Sequence, residues 1–270
     1  MSPDTVASRI TAGKNPSPEP APEIAVVVPA LNEQENVVPL AREIVAALEG
    51  VAPFEIIFVD DGSDDETVPR LAAFRQQEPR LRIIRHEHRA GQSGAIRTGI
   101  HAARAALIAT LDGDGQNDPA DIPALLRRYR SLDGQDVGMI AGERRKRQDN
   151  ALRRLSSRIA NGVRSSLLND GVMDTGCGLK LFPRDLYLDL PYFDHQHRFL
   201  PALVQRQGMR VVTEKVNHRP RGGGTSKYGV MNRLWVGIVD ICGVLWLKRR
   251  ARGASVPAFE HDAEGAGDDN

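Results

Sequence analysis

Apolar and polar positions along this chain fall into blocks with two alternating rhythms. Ile24–Pro29 is an unbroken apolar run rich in β-branched residues, as a parallel strand covered on both faces requires. From Asn32 or Glu33 the spacing becomes helical and runs to about Leu48, with Val37, Leu40, Ile44 and Leu48 on one face. Phe54–Val59 is a second apolar run, stopped by the turn-forming residues Asp60, Asp61, Gly62 and Ser63. The pattern then predicts a helix over Glu66–Gln77, a short strand over Leu81–Ile84, a helix over Gly91–Ala105 and a strand over Leu107–Leu111. This βαβαβαβ succession predicts an α/β fold, a doubly wound, mostly parallel sheet with helices on both faces. Met139–Ala141 and Gly178–Phe182 are candidates for further strands, and no internal repeat is present.

The two ends break the rhythm. Residues 1–22, with Pro16, Pro18, Pro20 and Pro22, read as a flexible lead. Residues 23–232 read as the folded domain, and 251–270, with Glu260, Asp262, Glu264, Asp268 and Asp269, as a disordered acidic tail. Between them, 233–250 stands apart. Leu234–Leu247 is apolar nearly all round except for Asp240, and it is shorter than the roughly 20 residues that span a bilayer. Arg233 and Lys248, Arg249 and Arg250 flank it, with Trp235 and Trp246 near its ends. That pattern predicts a helix lying at a membrane interface or gripping a partner; a core helix closing the domain is the bland alternative.

Composition narrows this little. The 270 residues leave room for one large domain with an appendage. Hydrophobic residues at 41% and charged residues at 26% exclude wholesale disorder. A net charge of +1 gives no global footprint for nucleic acid, so the expected partners exclude it. Two cysteines, Cys177 and Cys242, exclude a disulfide framework and suit a reducing compartment. Met1–Pro22 has no apolar run of the signal-peptide kind, so the expected location is cytoplasmic.

In a doubly wound sheet, ligands bind beyond the carboxyl ends of the strands. Three predicted strands deliver acids or amides to that rim: Pro29 to Glu33, Asp60 to Ser63, and Asp112 to Gln116. Asp112 and Asp114, two apart with a glycine between them, can both reach one divalent cation if the turn curls, and Gln116 can add a neutral oxygen. Hard oxygen ligands suit Mg2+ or Mn2+, which would bridge a diphosphate. The bland reading of the triplet is a solvated turn; two further acidic strand ends on the same rim tip the balance to a site. No G-x-G-x-x-G follows the first strand, no P-loop spacing occurs, and no Cys/His cluster has zinc spacing. Gly91 to Gly94 is a weak signal for backbone contact with phosphate, and His195 and His197 read as surface or packing residues.

Seven ordered segments carry a resemblance: VVVPALNEQENV, IIFVDDGSDDET, GQSGAIRTGI, TLDGDGQNDP, DTGCGLKLF, HRFLPAL and RGGGTSKYG. They resemble the dolichyl-phosphate mannosyltransferase group of family 2 glycosyltransferases, which includes bacterial polyprenyl-phosphate glycosyltransferases. The resemblance implies a GT-A type nucleotide-diphospho-sugar transferase fold with a C-terminal interfacial helix. It implies that Pro29, Ala30, Asn32 and Glu33 line the donor nucleotide and that Asp60 contacts its base or ribose. It gives the metal and diphosphate site to Asp112, Asp114 and Gln116, and a mobile basic loop over the donor phosphates to Arg221, Ser226 and Lys227. Asp174 is expected to orient donor or acceptor, with a turn cap as its alternative. Gly115 departs from the pattern, since relatives often carry a larger residue there.

The acceptor class has an independent argument. A sugar hydroxyl needs a general base, whereas a phosphate monoester, with a second pKa of about 6, is already largely anionic near neutral pH. It needs positive charge, and Arg144, Arg145, Lys146, Arg147, Arg153, Arg154, Arg158 and Arg164 supply a cluster. Around Leu152–Leu168 the spacing is helical and sets Arg154 and Arg158 one turn apart; the resemblance points to Arg144, Arg154 and Arg158 as acceptor-phosphate residues. The expected activity is inverting transfer of a sugar from GDP-mannose or a UDP-sugar to a polyprenyl or dolichyl phosphate, at the cytoplasmic face of a membrane contacted through 233–250. A homo-oligomer or a membrane partner subunit is compatible with it. Transfer to a non-lipid acceptor in polysaccharide or cell-envelope synthesis is the rival enzyme reading, and a basic membrane-surface module with a degenerate site is the non-enzyme one. A processive synthase is disfavoured because its Q-x-x-R-W motif is missing.

Overall fold

The computed structural model describes residues 21–145, 168, 171, 172, 174–220 and 230–250. Seven strands form one sheet in the order β3-β2-β1-β4-β6-β5-β7. They are β1 (Ile24–Ala30), β2 (Phe54–Asp60), β3 (Leu81–Arg85), β4 (Leu107–Thr110), β5 (Val137–Arg144), β6 (Lys180–Pro183) and β7 (Arg210–Val216). Six run the same way; β6 alone is antiparallel to both its neighbours. The described helices are α1 (Val37–Leu48), α2 (Thr67–Arg75), α3 (Gly91–Ala102), α4 (Ile122–Ser131), α5 (Arg184–Leu188), α6 (Leu200–Arg206) and α7 (Val230–Arg249).

The apolar runs are explained by burial on both faces. In β1, Val26 and Val28 enter a core with Leu40 and Ile44 of α1 and Leu125 and Leu126 of α4. Their neighbours Ala25 and Val27 enter the opposite core with Ile96 and Ile100 of α3, Leu203 of α6 and Val244 of α7. Residues one apart thus feed different helical layers, so neither position can be polar. Helix α3 lies so close to the sheet that a Cβ at Gly99 would come within 2.5 Å of Val27 Cγ1. That approach fixes the start of α3 relative to the strand ends.

Element boundaries move where side chains intervene. Helix α1 begins at Val37, several residues after Asn32, because Asn32 takes φ +54 and its amide donates to Ser63 Oγ at 2.9 Å. Helix α3 stops at Ala102, and the amides of Arg104 and Ala105 then donate to the buried Glu55 carboxylate at 2.6 and 3.1 Å. No element was expected at α4, α6 or β7, although Ile122, Leu125, Leu126 and Tyr129 are spaced as one helix face. Strand β7 is an edge strand of exposed and half-buried residues that ends on the buried Val216, with no long apolar run to announce it.

The six co-directional strands all end on one edge of the sheet, and the reversed β6 starts there. This edge gathers Ala30, Asp60, Arg85, Asp112, Arg144, Lys180 and His218, although up to 188 positions separate them in sequence. At the C-terminal end, α7 is one continuous helix of 20 residues. Its inner face, with Ile241, Val244, Leu245 and Leu247, packs on the α3–α6 side of the sheet. Among the described residues no helix is long and apolar enough to cross a membrane.

Candidate active site at the carboxyl edge of the sheet

Strand β4 delivers Asp112 to the middle of this edge, and a tight turn follows it. Asp114 Oδ1 accepts from the amide of Gln116 at 3.1 Å, and Gly115 takes φ +72, a left-handed conformation that accounts for glycine here. Gly113 lies against the end of β1: a Cβ there would sit 2.7 Å from the Pro29 carbonyl oxygen. Pro29 and Ala30 are therefore neighbours of the carboxylate pair. The turn is also held from behind, since the Asp112 amide donates to Asn117 Oδ1 at 3.1 Å.

The Asp112 carboxylate rests on a floor made by the chain entering β6. An added Cβ at Gly178 would lie 2.3 Å from Asp112 Oδ2, so only glycine leaves the space that this carboxylate occupies. The floor is pinned twice. Thr110 Oγ1 donates to the Gly178 carbonyl at 2.6 Å, and Lys180 Nζ donates to the Cys177 carbonyl. Lys180 is only 4% exposed, and burial pulls its pKa down from the ordinary lysine value. Across the carboxylate, Gln92 Nε2 on the first turn of α3 donates to Asp112 Oδ1 at 2.8 Å.

Charge at this point is concentrated. Burial pushes the Asp112 carboxyl up to about 6; the Asp114 charge adds to the rise, while Lys180, Arg144 and the Gln92 hydrogen bond oppose it. Arg144, at the end of β5, forms a bidentate pair with Asp174, Nε to Oδ2 and Nη2 to Oδ1 both at 2.6 Å. Burial works against the Arg144 charge, but the hydrogen bonds and charge of Asp174 outweigh it and hold its pKa above the ordinary value. Arg144 and Asp174 thus form one unit beside Asp112.

The donor set fits a divalent cation of the Mg2+ or Mn2+ kind. The Asp114 carboxylate is near enough for its charge to raise the Asp112 carboxyl, and the missing Cβ at Gly178 leaves room for the Asp112 carboxylate. Among the described residues no group of three or more His, Cys, Asp or Glu side chains could hold a metal. Such an ion would complete its shell with Gln116, water and phosphate oxygens, as Mg2+ commonly does.

The other expected residues divide into two groups. Asn32 and Glu33 lie in a loop stitched to the β2–α2 loop. Asn32 Nδ2 donates to Asp64 Oδ1 at 2.6 Å, Asn32 Oδ1 accepts from the Asp64 amide at 3.0 Å, and the Glu33 amide donates to Thr67 Oγ1 at 2.9 Å. Asp60 is fully buried, paired with Arg85 Nε at 3.3 Å and accepting from the Ser63 amide. Arg85 itself lines an open cavity of about 450 Å3 with Gly62, His86 and Glu87. Asp61 caps α3 by accepting from the amides of Ala90 and Gly91 at 2.8 and 2.9 Å. Arg154, Arg158, Arg221, Ser226 and Lys227 lie outside the described residues. The chain leading to the last three is anchored on the Asp112–Gln116 turn: the Arg219 amide donates to the Gln116 carbonyl at 2.9 Å, and its guanidinium pairs with Glu43 and Asp118 at 2.7 and 2.6 Å.

Gln92, Gly178, Lys180 and Arg85 were not foreseen as site residues. Gln92 and Gly178 belong to segments that stood out in the sequence, but nothing in their spacing tied them to Asp112.

The model for Glycosyl transferase family 2 matches residues 25–190 of the chain. The chain is 34% identical over 232 residues to the dodecaprenyl-phosphate galacturonate synthase of Rhizobium johnstonii, covering 84% of this chain and 68% of that protein. It is 31% identical over 210 residues to the undecaprenyl-phosphate 4-deoxy-4-formamido-L-arabinose transferase of Edwardsiella ictaluri, covering 77% and 63% respectively. The chain thus spans about two thirds of the length of these relatives. Among solved structures, glucosyl-3-phosphoglycerate synthase from Mycobacterium tuberculosis, in complex with Mn2+, UDP-glucose and phosphoglyceric acid, matches with a TM-score of 0.62 at 18% identity, over 86% of this chain and 81% of that one. The same enzyme with Mg2+ and UDP matches with a TM-score of 0.63 at 18% identity, over 86% and 81%. At that identity the likeness establishes the fold, a GT-A type glycosyltransferase architecture.

Proposed function

The chain belongs to glycosyl transferase family 2, and on that footing we propose that it moves a sugar from a nucleoside diphosphate to a polyprenyl phosphate. The observation that carries this reading is the carboxylate pair Asp112–Asp114 on the Gly178 cradle, with the Arg144–Asp174 unit beside it. The relatives' names support the acceptor: both pair a polyprenyl phosphate with a sugar.

In the proposed reaction a phosphate oxygen of the lipid attacks the anomeric carbon. The bond from that carbon to the diphosphate breaks, and the nucleoside diphosphate departs with the electron pair. Asp112 and Asp114, with Gln116, would hold Mg2+ or Mn2+, which when bound neutralises charge on the diphosphate. Gln92 orients the Asp112 carboxylate, and the floor at Cys177 and Gly178 sets its height. The cavity at Gly62, Arg85, His86 and Glu87 accommodates the nucleoside end, with Asp60 holding Arg85 in place. Asp174 orients Arg144 toward the acceptor side by fixing one edge of its guanidinium. Arg154 and Arg158 are assigned to the acceptor phosphate, and Arg221, Ser226 and Lys227 to the donor phosphates, on the family resemblance. No side chain need remove a proton from an acceptor that is already anionic.

The test is product formation from undecaprenyl or dolichyl phosphate with a panel of GDP- and UDP-sugars, with Mn2+ or Mg2+ and with EDTA. Lipid-linked sugar that vanishes with EDTA is the expected result, with inverted anomeric configuration by NMR. Donor hydrolysis without glycosylated lipid would remove the acceptor assignment and leave the donor site standing.

The outer face of α7 supports a peripheral membrane attachment. Val239 and Trp246 are 65% and 60% exposed, and Cys242 and Gly243 between them are exposed as well. The spacing 239, 242, 243, 246 is one helical stripe, and Arg249 and Arg250 end it with positive charge. An apolar stripe with an aromatic end and a basic terminus fits an anionic lipid surface. Val239→Glu with Trp246→Glu is expected to reduce co-flotation with phosphatidylglycerol vesicles at least tenfold, with an unchanged melting temperature because both side chains point outward. Undiminished flotation of the double variant would move the contact elsewhere.

A further inference from the structure

The first turn of α3 is joined at one side to Asp112 and at the other to the loop that leads into α6, on which α7 packs. Gln92 donates to Asp112 Oδ1 at 2.8 Å. The next residue, Ser93, is buried; its Oγ accepts from the His197 amide at 3.2 Å and lies 2.7 Å from His197 Nδ1. With one proton and two lone pairs, the hydroxyl can accept from the amide and also bond to Nδ1, as donor or acceptor according to the ring's tautomer. Burial holds the ring's pKa well below the ordinary histidine value, so the ring is neutral.

His197 sits in the short helical turn Gln196–Arg198, whose first residue is locked in place. Gln196 is fully buried, accepts from Tyr187 Oη at 3.0 Å and donates to the Pro191 carbonyl at 3.0 Å. Immediately before it, His195 takes φ +62, a left-handed conformation unusual for a residue with a side chain. Its Nδ1 lies 3.3 Å from the buried Asp240 Oδ2 on the inner face of α7, within ion-pair distance but without hydrogen-bond geometry. Asp240 is the single acid in the apolar stretch Leu234–Leu247, and it points to this loop and not to solvent. A carboxylate on an otherwise apolar helix costs stability unless it is paired, so its placement calls for a purpose other than packing.

We propose that Asp240, His195, His197, Ser93 and Gln92 form a positioning chain that couples the docking of α7 to metal binding at Asp112. None of the first four touches the reacting groups; each acts through Gln92 on the orientation of the carboxylate. Partners of this kind, one shell beyond a metal ligand, are typically worth 10–100-fold in metal affinity. The chain also gives a contact on the outer face of α7 a physical route to the site. The inference rests on the reading of Asp112 as a metal ligand.

The test is a double-mutant cycle on Mn2+ affinity, read from the EPR signal of the free ion in the full chain. Asp240→Asn and Gln92→Ala are each expected to weaken binding about fivefold to tenfold. Combined, they should weaken it no more than the stronger single variant, because both cut the same chain. Ser93→Ala, which removes only a hydroxyl, enters the chain at a second point and should show the same non-additivity with Gln92→Ala even if Asp240→Asn loosens the helix. Losses that multiply in both double variants, or Mn2+ binding untouched by Asp240→Asn and Ser93→Ala alike, would overturn the coupling. Asp112→Asn separates the two levels. If it binds Mn2+ like the parent, the metal-site reading itself falls; if it loses Mn2+ while the cycle is additive, only the coupling falls.

Discussion

Asparagine at position 112 is expected to abolish transfer and, in EDTA at pH 8, to raise the melting temperature by several degrees. The two effects have one cause. Asp112 lies on a protein floor beside Asp114, and together burial and that neighbouring charge bring its carboxyl to about 6. A carboxylate whose pKa is raised on folding binds protons more tightly in the folded chain than in the unfolded one. Folding stability therefore falls as pH rises from the unfolded value near 4 through about 6, and the full cost is present above that. At pH 8 this amounts to roughly 1–3 kcal/mol, or about 3–8 °C for a domain of this size. Asparagine removes the charge and keeps an oxygen to accept from Gln92. Near pH 4.5, where Asp112 is itself largely protonated, the two proteins should melt together. Saturating Mn2+ should reverse the order at pH 8, because only the parent gains from binding. Calorimetry at the two pH values, with and without Mn2+, measures all of this, and a parent that melts above the variant in EDTA at pH 8 would contradict it. The loss of transfer should reach at least 1000-fold, since a charged ligand is removed from the cation that would balance the diphosphate.

The parts of this site that the sequence disclosed are those created by local chain geometry. Apolar runs stop at acids, and parallel strands stop on one edge. The place of Asp112 and Asp114 on that edge was legible for that reason, and so was the doubly wound sheet. What was not legible depends on contacts between distant segments. Gly178 touches Asp112 from 66 positions away, and no periodicity encodes such a meeting. Arg144 read as one of a run of basic residues aimed at an acceptor; its pairing with Asp174, 30 positions on, makes it part of a fixed unit. Asp60 read as a group for the base or ribose; its carboxylate pairs with Arg85 and accepts from the Ser63 amide, and Arg85 lines the cavity. Asp240 read only as the exception in an apolar helix, and it lies 3.3 Å from His195 of the loop before α6. For that helix the two readings each describe one face: the inner side closes the core, and the outer side keeps its exposed apolar stripe.

Alanine at Gly178 is expected to cost at least 100-fold in kcat/KM while shifting the melting temperature by less than about 3 °C. The added methyl would occupy the place of the Asp112 carboxylate, with built distances of 2.3, 2.4 and 2.6 Å to its Oδ2, Cγ and Oδ1. One of the two must move, and the carboxylate is the part that can, since it sits at the end of a short side chain with two rotatable bonds. Swinging away forfeits the Gln92 hydrogen bond, about 1 kcal/mol of folding stability. It also carries the carboxylate out of register with Asp114, and misplacement of that order costs about 100-fold in rate. Gly113 supplies the contrast. A methyl there meets the Pro29 carbonyl, which is backbone of β1 and cannot rotate out of the way, so Gly113→Ala should lose activity and several degrees of stability together. At Gly115 a methyl meets nothing within 4 Å, but the backbone sits at φ +72, so its alanine variant carries only the strain of that conformation, about 1–2 kcal/mol. Activity lost without stability at 178, both lost at 113, and mainly stability lost at 115 is a pattern that thermal melts and steady-state kinetics can read directly. Near-parent activity in Gly178→Ala would mean that the Asp112 carboxylate can leave its floor without consequence, and the assignment of Asp112 to the metal and diphosphate would go with it.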